Sequence, residues 1–99
     1  MRFIGLKTCD TCRKALKELR VAGIEPQVTD VRADGLTPQD IDAVVAAFGD
    51  EAINRASTTW RGLTDAEKGA NATALLAAHP TLMKRPVIFG QAANIGWRP

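Results

Sequence analysis

Histidine occurs once in this 99-residue chain, at His79, and cysteine only twice, at Cys9 and Cys12. A structural zinc site normally takes four ligands, so the Cys-x-x-Cys pair has too few companions to be half of one. Long apolar runs are also missing. No stretch approaches the roughly 18–20 residues that cross a bilayer. The opening MRFIGLKTCD turns polar after Leu6, so it lacks the apolar segment of a secretory signal, and the expected location is the cytoplasm. There is no strong excess of either charge. A net charge of +2 and a pI near 8.8 are too mild to argue for nucleic acid or an anionic membrane. Acidic and basic residues are spread too evenly to mark a partner surface. Repeats, low-complexity tracts and interdomain linkers are absent too. The remainder is 45% hydrophobic and 24% charged, which fits one globular domain over residues 1–99 with a single modest core, expected as a monomer.

The pattern turns on the stretch from Ile4 to Leu16. A short apolar run, Phe3-Ile4-Gly5-Leu6, gives way to Lys7-Thr8, then to Cys9-Asp10-Thr11-Cys12 and a helical pattern. The first N–H groups of a helix have no partner inside it, and the helix dipole places partial positive charge there. A thiol at that point ionises more readily than the ordinary cysteine near 8.5. Lys7, Arg13 and Lys14 add positive charge. Cys9, at the turn, is the expected nucleophile, and Cys12, one turn in, the resolving thiol. Outside an exporting context such a pair works as a redox couple rather than a permanent staple. An inert buried pair is the alternative, opposed by the polar neighbours Thr8, Asp10 and Thr11.

Residues 2–6 read as a first strand. Cys12, Ala15, Leu16 and Leu19 form the inner stripe of a helix that stops at Gly23. Residues 27–31 read as a second strand, parallel to the first. Thr37-Pro38-Gln39-Asp40 is a helix start with N-cap, N1 proline and capping-box acid, and Ile41, Val44, Val45 and Phe48 make its stripe up to Gly49. A short helix is expected over 50–54. Thr64-Asp65-Ala66-Glu67 repeats the capping box, and helix continues to Pro80 with a break near Gly69-Ala70-Asn71. Residues 82–90 read as an approach loop and a third strand, 91–94 as a turn and 95–98 as a fourth, antiparallel strand. The order gives an α/β fold: a thioredoxin-like (glutaredoxin-like) core with a small mixed sheet and a helical insertion, roughly 37–79, between the second and third strands. A further helix is expected after Pro99 to cover the second face of the sheet.

An oxyanion-directed thiol needs fixed cations, and arginine's planar fork suits that task. Arg55, Arg61, Arg85 and Arg98 lie outside the strongly amphipathic helices. Arg85 precedes Pro86, which biases its backbone to extended geometry at the mouth of a strand, and such a bond can be cis. The runs CDTCRKAL, STTWRGL, HPTLMKRPVIFG and GWRP together resemble the ArsC-type arsenate reductase family, including its Spx and YffB-like branches, over essentially the whole chain. The resemblance implies a catalytic cysteine at Cys9, a cis-proline at Pro86 and oxyanion-binding arginines at Arg85 and Arg98, with Arg55 as the nearest candidate for a third. Amide groups of Asp10 and Thr11 are expected to complete an anion nest.

The implied activity is reduction of arsenate, a related oxyanion or a mixed disulfide, with no tightly bound cofactor, glutathione as co-substrate and glutaredoxin as partner. Cys12 is a departure from the glutathione-coupled reductases and a feature shared with Spx-type regulators. A redox-switched regulator binding RNA polymerase, and a general thiol–disulfide carrier, therefore stand as alternatives. His79 is expected to be a helix-end residue, and Trp60, Trp97 and Met83 packing residues.

Overall fold

The computed structural model describes residues 1–90 and 92–96. Its contacts divide the chain into two compact units, one of residues 1–34 with 85–99 and the other of residues 35–84.

The first unit holds a four-stranded sheet in the order β2-β1-β3-β4, with β1 at Arg2–Gly5, β2 at Gln27–Asp30, β3 at Val87–Phe89 and β4 at Ala93–Ile95. β1 and β2 run parallel, joined through helix α1 (Asp10–Val21), while β3 pairs antiparallel with both β1 and β4. Side chains alternate across β1, as a pleated strand demands. Phe3 turns to α1 and packs with Cys12, Ala15, Leu19 and Ile88, with Leu16, Ile24 and Val28 at the margin. Ile4, on the opposite face, is also fully buried, as is its cross-strand partner Val87. The strand is thus apolar on both sides, as its unbroken apolar run implied.

β4 begins earlier than expected. It occupies Ala93–Ile95 rather than 95–98, because Gly96 takes φ 83°, a left-handed conformation that ends the strand, and returns its N–H to the Pro86 carbonyl at 2.7 Å. Trp97 and Arg98 lie outside the described residues.

The second unit is helical. Helix α2 (Pro38–Phe48) starts on the expected capping box: Thr37 Oγ1 accepts from the Asp40 N–H at 3.1 Å, and the Asp40 carboxylate accepts from the Thr37 N–H at 3.3 Å. A short 3₁₀ turn, Gly49–Ala52, stands where a helix over 50–54 was expected. Helix α3 (Thr58–Arg61), which the sequence pattern left irregular, begins on Ser57, whose hydroxyl accepts from the Trp60 N–H. The remaining pattern breaks as expected. α4 (Asp65–Lys68) starts on the Thr64–Glu67 box, and α5 (Ala72–Ala78) restarts on Asn71, whose side chain accepts from the Ala74 N–H. α2 packs against α5, with Ile41, Val44, Leu75 and Leu76 all buried. A strand–helix–strand followed by a helical insertion and an antiparallel hairpin is thioredoxin-like topology. No helix among the described residues is long and apolar enough to cross a membrane.

Candidate active site

The loop after β1 makes one tight turn, closed by the Cys9 N–H donating to the Leu6 carbonyl at 3.0 Å. This puts Cys9 at the N-cap of α1 with extended backbone, its carbonyl already accepting from Arg13. Cys9 is half-buried, whereas Cys12 is buried to 2% exposure among the residues that fix α1 to the sheet. The two thiols therefore meet different surroundings, although only two residues separate them.

Their ionisation diverges accordingly. Partial burial is the largest single influence on Cys9 and raises its pKa. The Cys12 N–H, the Cys12 thiol, the Thr11 N–H and the Arg85 guanidinium outweigh it together, so Cys9 lies below the ordinary cysteine value. The sulfur closes no formed capping hydrogen bond; the helix-start amides act on it by proximity and orientation. Cys12 moves the other way, to about 11. Desolvation dominates, and the negative charge of the Cys9 thiolate reinforces it against the Leu6 N–H, which donates to Cys12 Sγ at 3.5 Å. Of the two thiols, Cys9 thus loses its proton first.

Arg85 lies in the same unit, at the approach to β3, and its positive charge acts on both sulfurs. The Arg85–Pro86 peptide bond is cis and Pro86 is fully buried, in keeping with the family resemblance. The other expected site residues divide. Thr11 and Cys12 supply the helix-start amides that favour the Cys9 thiolate. The Asp10 side chain is 99% exposed, 3.7 Å from Arg13. Arg55 belongs to the helical unit, where its guanidinium stacks over Trp60 at 5.3 Å and donates to the Asp50 carbonyl at 3.4 Å. Lys68 meets the same ring at 5.7 Å. Arg98 lies outside the described residues. His79 caps the end of α5 and pairs with Glu67 at 3.2 Å.

Two residues that the sequence pattern did not single out shape the thiol loop. Asp30, the last residue of β2, is 5% exposed. One carboxylate oxygen accepts from the Arg32 and Ala33 amides at 2.8 and 2.9 Å, and the other from the Lys7 amide at 2.9 Å. Those bonds, led by Ala33 and Lys7, hold its pKa below the usual carboxylate range. An acid at the exit of a strand, just before a loop, was the available signal. The other is Gly5, where a Cβ would lie 2.8 Å from Cys12 Sγ and 3.0 Å from the Phe3 ring. Glycine here makes room for the second sulfur. Gly5→Ala should lower unfolding free energy by about 1–3 kcal/mol, the usual cost of overpacking. Urea denaturation measures it, and an unchanged midpoint would mean that Cys12 moves aside freely.

The strand–helix–strand order, the mixed sheet and the helical insertion place the chain, by fold, with the thioredoxin-like proteins. Comparison with known proteins narrows this. The ArsC family model matches residues 4–99. An uncharacterized protein of Haemophilus influenzae is 43% identical over 90 residues, spanning 86% of this chain and 79% of the relative. Among solved structures, a YFFB protein superposes with a TM-score of 0.83 at 30% identity, covering 97% of this chain and 90% of its own. An arsenate reductase (ArsC) related protein from Brucella melitensis gives 0.75 at 31% identity, covering 100% and 89%. The chain belongs to the ArsC family.

Proposed function

We propose that the protein is a thiol-dependent reductase, acting in the cytoplasm as one domain, whose Cys9 thiolate attacks arsenate, a related oxyanion or a glutathione mixed disulfide. The observation carrying this reading is the half-exposed Cys9, with its pKa lowered, in the field of Arg85. A permanently charged planar fork next to a thiolate binds a tetrahedral oxyanion and neutralises charge that builds on it. The similarity to a protein described as arsenate reductase related supports the same substrate class.

In the proposed reaction Cys9 sulfur displaces a hydroxide from arsenic(V), which leaves as water after taking a proton, and an S–As bond forms. A second thiol, from glutathione or Cys12, then attacks Cys9 sulfur. The S–As pair passes to arsenic, arsenite leaves as arsenic(III), and a disulfide remains, so two thiols have supplied two electrons. Glutathione, with glutaredoxin as carrier, returns the disulfide to thiols. Arg98 is the proposed further anion-binding guanidinium group, and the Thr11 and Asp10 amides complete the nest.

The test couples NADPH oxidation through glutathione and glutaredoxin to added arsenate. Arg85→Ala should lower kcat/KM by about a hundredfold, the scale for losing one preorganised oxyanion partner. Arg85→Lys, which keeps the charge and loses the fork, should fall between. An absence of arsenate turnover in the parent removes the oxyanion reading. Cys12, next to Cys9 and protonated, favours a second reading, a general thiol–disulfide carrier. That reading gains if a glutathione mixed disulfide is turned over equally by the parent and Arg85→Ala.

A further inference from the structure

The fold collects on α1 the charge that the sequence scatters. Of its twelve residues four are basic and two acidic, and Arg13, Lys14, Lys17 and Arg20 are all exposed. Arg13 leans toward Asp10 and Arg20 is paired with Glu25 at 2.9 Å. Lys14 and Lys17 have no ion-pair partner among the described residues.

A solvated helix face needs no more explanation than that, but this one is neither flat nor uniformly polar. A recess of about 90 Å³ opens between α1 and the ends of β1 and β2, lined by Phe3, Leu6, Leu16 and Val28, with Lys7, Arg13 and the amide-bound Asp30 also on its lining. It shares Arg13 and Leu16 with a shallow hollow that runs on to Val21, and that hollow shares Lys17 and Val21 with a third. Val21 is 81% exposed, an apolar side chain left in water at the far end of a line of cations. From Arg13 to Val21 the helix rises about 12 Å, the span of about four residues of extended chain. A small molecule would occupy the recess alone. A basic, partly apolar groove of this length suits a polypeptide strand.

We propose that this groove docks an extended acidic segment of a partner protein, with one apolar side chain in the recess beside Leu16 and Val28 and carboxylates against Arg13, Lys14 and Lys17. The groove starts in the first turn of the helix that Cys9 caps, so a partner docked there is held next to the thiol. The proposal does not depend on which substrate Cys9 attacks.

The test uses the full chain, labelled for NMR, and a blocked five-residue peptide of four glutamates around a central leucine. Saturable shifts are expected in the Leu16 and Val28 methyls and in amides from Arg13 to Val21. Glycine in place of the peptide's leucine should weaken binding by at least about tenfold, the scale for removing one buried aliphatic side chain. The double variant Lys14→Glu with Lys17→Glu should weaken it by about tenfold at low salt, with its helical circular dichroism unchanged. Shifts that never saturate overturn the proposal, as does equal binding of the glycine peptide or of the double variant. Hexanoate alone reproducing the full shift pattern and displacing the peptide would also overturn it, in favour of a small-molecule site.

Discussion

Cys9→Ser should lower reductase turnover by about a thousandfold or more, to the uncatalysed background, because the reaction loses its nucleophile and not a supporting contact. A serine hydroxyl is not ionised near neutral pH, and its oxygen cannot form the disulfide that closes the cycle. Cys12→Ser separates two routes. If external glutathione attacks the Cys9 intermediate, turnover survives in this variant; if Cys12 does so, the variant arrests at the Cys9–arsenic adduct and releases no arsenite. Alkylation supplies a readout independent of any substrate. Cys12 titrates at about 11 and Cys9 below the ordinary value, so at pH 7 their thiolate populations differ by about a hundredfold or more. The less basic thiolate is intrinsically the weaker nucleophile, which returns about tenfold of that advantage. Iodoacetamide should therefore modify Cys9 at least about tenfold faster, and the burial of Cys12 widens the gap. Peptide mass spectrometry across pH 5–11 follows both sites. Equal rates, or a Cys9 midpoint at or above that of a free cysteine, would leave the proposed nucleophile without its activation.

Asp30→Ala should cost about 2–4 kcal/mol of stability. The substitution strips an acceptor from three amides, those of Lys7, Arg32 and Ala33. Bonds to a carboxylate contribute about 1.5–3 kcal/mol each when water cannot replace them. Arg32 and Ala33 are exposed and recover part of theirs from solvent, which keeps the total below the simple sum. The sign of the pH dependence follows from the lowered pKa. A carboxylate whose folded pKa is depressed contributes its full stability above the unfolded value near 3.9, and that contribution is lost as pH falls through the folded value. The gap between parent and Asp30→Asn in urea midpoints should thus be widest near neutrality and close in acid. A gap independent of pH would mean that the carboxylate's charge is not what holds the loop.

Local patterns made much of this molecule legible. Cys12, Ala15 and Leu19 fall on the buried stripe that their spacing implies, and Thr37 and Thr64 start helices because hydroxyl and acid caps act within four residues. The break before Asn71 follows from the same chemistry. Long-range geometry was hidden. Nothing in the neighbourhood of Asp30 says that an amide 23 residues earlier in the chain will meet it, and Gly5 reveals its purpose only when Cys12 is folded down beside it. Helix α3 is not legible in the sequence, because four residues carry too little periodicity to register. The cations of α1 looked dispersed because a helix brings together residues three and four apart, an arrangement that linear spacing disguises.

The Asp30 clasp also bears on how this chain can vary. One carboxylate fixes the distance between the end of β2 and the amide two residues ahead of Cys9. An inserted or deleted residue at Lys7-Thr8 would carry that amide out of reach and leave a buried anion unanswered. The connection from β1 to the thiol is therefore held to a fixed length by an anchor on another strand, and variation in this region has to be by exchange of side chains.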